Sequence, residues 1–147
     1  VNTGLRLSEI LTLEWNQINL QDRYVILDNQ NHTTKSKRIR SVALNLKALQ
    51  ILSERQLKND RLVFTIGGSP AKPSYVSKTF KKYVIKAQIN PDLKFHSLRH
   101  TFASWLVQRG VSIYEVSKLL GHSDIKVTEI YAHLKPENLR NAVELLN

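Results

Sequence analysis

The sequence predicts a mainly α fold with a small antiparallel β-sheet, an α+β class, on three observations. Apolar residues recur at helical spacing, as Leu98, Phe102, Trp105 and Leu106 do at i, i+4, i+7 and i+8. Between residues 18 and 44 the pattern changes to short β-rich runs, INL, YVILD and IRSVAL, separated by polar turns. Glycine and proline punctuate the rest: Gly110 and Gly121 close helical stretches, and GGSPAKP at 67–73 reads as a loop.

In chain order, Ser8 is placed to cap a short helix carrying Ile10, Leu11 and Leu13, with Glu9 in its first turn. The three β-rich runs follow, with QNHTTKSKR as their exposed hairpin. Residues 46–58 return to helical spacing through Leu46, Leu49 and Leu52. A helix over 74–88 gathers Val76, Phe80, Tyr83, Val84 and Ala87 within one arc and puts Lys78, Lys81, Lys82 and Lys86 on the other side. Such lysine faces are commonly just solvated, but here they also suit contact with DNA. The next helix, 97–109, is expected to bury Trp105. Ser112 and Glu115 have capping-box spacing and start a helix that runs to Leu120. Ser123 or Asp124 caps a further short helix bearing Tyr131, and Pro136 opens a last one with Leu139, Val143 and Leu146 on one face. That apolar stripe has to be covered by something.

At 147 residues the chain has the length of one domain, and its 41% hydrophobic and 23% charged residues are a globular composition. Apolar runs fall well short of the ~20 residues of a membrane span. Twenty-two Lys and Arg against twelve Asp and Glu leave a net charge of +10, which favours a polyanionic partner, nucleic acid first. With no cysteine there is no thiol nucleophile or disulfide frame, a usage that fits a reducing cytoplasm. The chain also has no methionine, so Val1 is expected to follow further sequence.

Residue types then narrow the chemistry. Tyr131 stands nine residues after His122 in LGHSDIKVTEIYAHL, which follows HSLRH at 96–100. A nucleophilic hydroxyl, proton-carrying histidines and a permanently charged guanidinium are what attack on a phosphodiester requires. His96 and His100 also have the i, i+4 spacing of a metal-binding helix, but Arg99 between them and the lack of a nearby third ligand argue against a cation. No metal or cofactor is expected. By spacing alone Tyr131 could equally pack on Val127, and His122 could be an ordinary helix-end residue.

TGLRLSEIL at 3–11, HSLRHTFASWL at 96–106 and LGHSDIKVTEIYAHL at 120–134 together resemble the tyrosine recombinases, or phage-type integrases. The likeness spans essentially the whole chain. It implies a single catalytic domain over 1–147, preceded in the family by a further helix and by separate DNA-binding domains. It further implies that Arg6 and Arg99 clamp the scissile phosphate, Glu9 orients Arg6, and His96 serves as general acid/base. His122 bonds a phosphate oxygen, and Tyr131 attacks to form a 3′-phosphotyrosyl link without metal or ATP. Lys35 matches the family's hairpin lysine that protonates the departing 5′ oxygen, with Lys37 the alternative; Ala43 replaces the family's proline in VAL. Lys37, Arg38 and Arg40 would touch DNA phosphates, and His100 and His133 are read as structural or peripheral. The implied partner is double-stranded DNA, bound as a homotetramer, with a monomer as the alternative for this chain alone. The setting is the cytoplasm, bacterial or phage-encoded. The other functions open are topoisomerase IB-like nicking and resealing, and a basic DNA-binding module that does not cut.

Overall fold

The computed structural model describes residues 1–28, 39–56, 61–135, 143, 144 and 146. Arg6 is extended and leads into helix α1 (Leu7–Leu11). The expected Ser8 cap is not the one used. Ser8 already lies inside the helix, and the Glu9 carboxylate instead reaches back to accept the Arg6 backbone N–H at 2.7 Å. Leu13, beyond the helix, is buried beneath it.

Strands β1 (Ile18–Asn19), β2 (Tyr24–Leu27) and β3 (Arg40–Ala43) form an antiparallel sheet in that order, with Val25 opposite Val42 and Leu27 opposite Arg40. Alternation works as the strand period demands: Val25, Leu27 and Val42 face the core while Ile26 points out. The β2–β3 connection carrying Lys35, Lys37 and Arg38 lies outside the described residues. Helix α2 (Leu46–Arg55) starts at Asn45, whose side chain accepts the Ala48 N–H at 2.9 Å. It buries Ala48 and Leu52, leaving the expected Leu46 exposed at the helix entrance. The stretch read as a loop contains a small hairpin, β4 (Thr65–Ile66) against β5 (Ser69–Pro70), turned by Gly67 and Gly68.

Helix α3 (Pro73–Lys86) begins with proline in its first turn, where no backbone N–H is needed. Val84 is buried and Phe80 meets the edge of Phe95 at 5.5 Å, but Tyr83 is exposed at the margin of the apolar arc. Lys78, Lys82 and Lys86 are exposed, as is Lys81, whose ammonium donates to the Pro91 carbonyl.

Helix α4 (Ser97–Gln108) corrects a second expectation. Its buried line is Arg99, Ala103 and Val107, one position round from the line drawn through Leu98 and Trp105. Trp105 is therefore 48% exposed, with the Arg109 guanidinium over its ring at 5.8 Å. Helix α5 (Ile113–Leu120) follows its sequence signal closely: Ser112 and Glu115 form the capping box and Gly121 ends the helix in the left-handed conformation. Helix α6 (Lys126–Glu129) is shorter than expected. Asp124 accepts the Lys126 N–H at 3.0 Å, and Tyr131 lies past the helix, at the entry to a 3-10 turn over Ala132–Leu134. Of the expected last helix, Val143 and Leu146 are described and both are exposed.

Two core clusters result. One joins Leu5 and Leu13 to the sheet and α2 through Val25, Leu27, Val42, Leu44 and Leu52. The other joins α4 and α5 through Ala103, Val107, Val116 and Leu120, and includes Tyr131. Gly4 lies where they meet: its φ is +62°, and a Cβ there would come within 2.6 Å of the Phe102 ring and 3.1 Å of Leu120. Left-handed backbone disfavours any side chain, and the ring leaves no room for one. Gly4→Ala is expected to lower stability by about 2 kcal/mol, read as a fall of roughly 4–8 °C in Tm by thermal denaturation.

Candidate active site

The junction of the two clusters is lined by cations. Arg99 is only 4% exposed, and its guanidinium donates from Nη1 to the Gly4 carbonyl and from Nη2 to the Leu120 carbonyl, each at 2.6 Å. One bond reaches the first cluster and the other stays in the second. Two of the five N–H donors of a guanidinium are thereby committed, leaving the others for an anion. A lysine in this place could not span both carbonyls in one plane.

Glu9 organises the other two arginines. Its carboxylate, 3% exposed, accepts from Arg6 Nη1 at 2.9 Å through one oxygen and from Arg40 Nη2 at 2.8 Å through the other. The expected pairing of Glu9 with Arg6 is thus present. Arg40 was expected to face DNA phosphate, yet it turns inward from β3, and its Nη1 donates to the Leu119 carbonyl at 2.9 Å. The reason is steric as well as electrostatic: Gly121 has φ +67°, and a Cβ on it would lie 2.5 Å from Arg40 Cδ. The glycine of LGH therefore both ends α5 and clears the path of Arg40.

His122 follows directly. Its Nδ1 meets the fully buried Thr128 hydroxyl at 2.8 Å. When Thr128 donates to Nδ1, the neutral ring carries its proton on Nε2, the form that can donate to a phosphate oxygen. Burial, then the positive charges of Arg99, Arg6, Arg40 and His96, push the His122 pKa down to about 4. His96, at the N-cap of α4, is also lowered, by partial desolvation and then by His100, Arg99 and Arg6. Arg99 itself falls to about 10 for the same two reasons, desolvation and the neighbouring guanidinium groups. These are signs of a site with more positive charge than its own carboxylate offsets.

Tyr131 is 7% exposed, and burial raises its phenol above the ordinary value while the Arg99 charge pulls the other way. Its Oη lies 2.5 Å from His100 Nδ1. His100, read as peripheral from sequence, is thus the residue that meets the tyrosine hydroxyl. The i, i+4 step from His96 to His100 was visible, but nothing in it indicated that the second ring would face Tyr131. Arg6, His96, Arg99, His122 and Tyr131 are brought together; Lys35 lies outside the described residues, and the lysines of α3 lie on a different surface element. Among the described residues no group of three or more His, Asp or Glu is arranged to hold a metal.

Comparison with known proteins gives a consistent result. A family model described as the phage integrase family matches residues 1–138. The integrase of Salmonella phage P22 is 35% identical over 150 residues, covering 95% of this chain and 38% of that protein. Among solved structures, the catalytic domain of bacteriophage HP1 integrase superposes with a TM-score of 0.70 at 32% identity, over 97% of this chain and 75% of that one. The XerH site-specific recombinase, in a post-cleavage complex with a palindromic difH substrate, gives 0.73 at 26% identity over 99% of this chain and 43% of that one. The chain spans about half the length, or less, of the curated relatives it matches.

Three outcomes follow from the charge balance. Glu9→Ala leaves two guanidinium groups facing each other without their carboxylate and should destabilise by about 3 kcal/mol, read from urea unfolding. His122 is held neutral in the fold, so the stability it contributes is complete above its unfolded value of 6.5 and is lost as pH falls from there towards about 4. His122→Asn should flatten that limb of the stability profile. Inorganic phosphate, by adding negative charge, should move the His122 NMR titration upward.

Proposed function

The chain belongs to the phage integrase family, and on that premise we propose that it is the catalytic part of a tyrosine recombinase, cutting and rejoining duplex DNA at specific sites. The observation that carries this reading is the gathering of Arg6, His96 and His122 around Arg99, whose charge also reaches Tyr131, with the electrostatics of an anion site.

In the reaction, Arg6 and the free donors of Arg99 hold the non-bridging oxygens of the scissile phosphate, and His122 donates from Nε2. Fixed charge of this kind stabilises the transition state without reorganisation, because the donors are already anchored on Glu9, Gly4 O and Leu120 O. Tyr131 attacks phosphorus, the bond to the 5′ oxygen breaks, and a 3′-phosphotyrosyl link keeps the phosphodiester energy. Lys35 protonates the leaving oxygen, with Lys37 its alternative, and His96 exchanges protons near the phosphate. The reverse attack by a 5′ hydroxyl rejoins the strand. Exposed Lys78, Lys82 and Lys86 on α3, with Lys37 and Arg38, supply further phosphate contacts. Assembly as a tetramer on DNA in a bacterial cytoplasm belongs to the same reading.

The test is covalent capture. The protein is incubated with a pool of nicked duplexes of randomised sequence, from which the cut end diffuses away and traps the intermediate. A DNA adduct that survives denaturation and disappears in Tyr131→Phe is the expected result. Salt-sensitive binding with no adduct would leave a DNA-binding module, and relaxation of supercoiled DNA of any sequence would favour a topoisomerase.

A further inference from the structure

The contact between His100 and Tyr131 is the feature of the site that the six assigned positions do not account for. His100 Nδ1 stands 2.5 Å from the phenolic oxygen, with the two rings tilted at 51° and their centres 6.0 Å apart. Only the oxygen joins them, so the contact is a hydrogen bond rather than a stacked pair. His100 is one helical turn after His96 on α4, and the two rings meet edge to face at 5.0 Å. Tyr131 is buried in the second core cluster while His100 is exposed. The histidine therefore links a desolvated hydroxyl to solvent.

We propose that His100 is a further catalytic residue, the general base that takes the proton from Tyr131 as the tyrosine attacks. The proposal rests on the reading of Tyr131 as the nucleophile. A neutral phenol is a weak nucleophile, and burial makes this one less willing to ionise unaided. A base has to sit within hydrogen-bond reach of the proton it removes, and the His100 ring meets that condition in the structure. Charged and titratable neighbours are Tyr131 itself, His96 one turn earlier and Arg99 next in the chain.

The step balances without another reagent. The Oη–H proton moves to His100 Nδ1 as the Oη–P bond forms. The P–O5′ bond breaks with its electron pair on O5′, which takes a proton from a separate acid, Lys35 in the reading above. On rejoining, the 5′ hydroxyl gives its proton back to the Lys35 amine as it attacks, Oη leaves with the electron pair of the Oη–P bond, and the His100 imidazolium returns the proton to it. One histidine thus acts as base in cleavage and acid in rejoining.

The experiment measures single-turnover adduct formation against pH on duplexes recovered from the randomised pool, for wild type, His100→Ala, His100→Gln and Lys35→Ala. Wild type should rise with pH and level off, the profile of a reaction that uses a general base. His100→Ala should lose that levelling, react about 10²–10⁴-fold more slowly, and regain rate when imidazole is added. A 5′-bridging phosphorothiolate, whose sulfur leaves without protonation, should rescue Lys35→Ala and leave His100→Ala slow. His100→Gln keeps a hydrogen-bonding partner for the hydroxyl but cannot accept its proton, so it should stay slow at unchanged Tm. Wild-type rate and pH profile in His100→Ala, recovery in His100→Gln, or rescue of His100→Ala by the phosphorothiolate would each overturn the proposal while leaving Tyr131 as nucleophile. Absence of any adduct from wild type would overturn the reading of Tyr131 and the proposal with it.

Discussion

The buried Glu9 carboxylate lies between two guanidinium groups, and much of the molecule is arranged around that balance. It caps α1 by taking the Arg6 N–H, holds the Arg6 side chain, and anchors Arg40 as that residue crosses from the sheet to the end of α5. Arg99 makes the complementary crossing from α4 to the Gly4 carbonyl. The two apolar clusters are thus tied together by directional bonds at their polar seam. Buried ion pairs add little net stability over apolar packing, but they do require one geometry, and here that geometry is the site.

A single carboxylate does not neutralise three arginines. Burial first, and this remaining positive charge after it, lower the pKa values of Arg99, His96 and His122. A site in this state gains from an anion in two ways, through new hydrogen bonds to donors already in place and through relief of repulsion among cations. At Tyr131 the two effects oppose each other: burial raises the pKa of the phenol, the Arg99 charge pulls it down, and burial prevails.

Local signals in the sequence translated well where the interaction itself is local. The capping box at Ser112 and Glu115, the stop at Gly121 and the proline start of α3 involve residues within a turn of one another. The i, i+3 pairing of Arg6 with Glu9 is of the same kind. Expectations failed where the competing partner was distant in the chain. The Trp105 face lost to an Arg99, Ala103 and Val107 face because Arg99 is bonded to carbonyls at Gly4 and Leu120. Arg40 looked like one more cation of a basic hairpin; Glu9 and Leu119, 31 and 79 positions away, drew it inward.

By itself, the sequence determined the mainly α class with its small sheet and the family, because motif spacing and periodicity are properties of neighbouring positions. Only the tertiary structure decided that Arg40 supports the site from behind, that one glycine is needed to let it pass, and that His100 rather than open water meets the Tyr131 hydroxyl. Those outcomes depend on side chains from separate elements competing for the same few buried acceptors and donors, and that competition is settled only when the two cores close on each other.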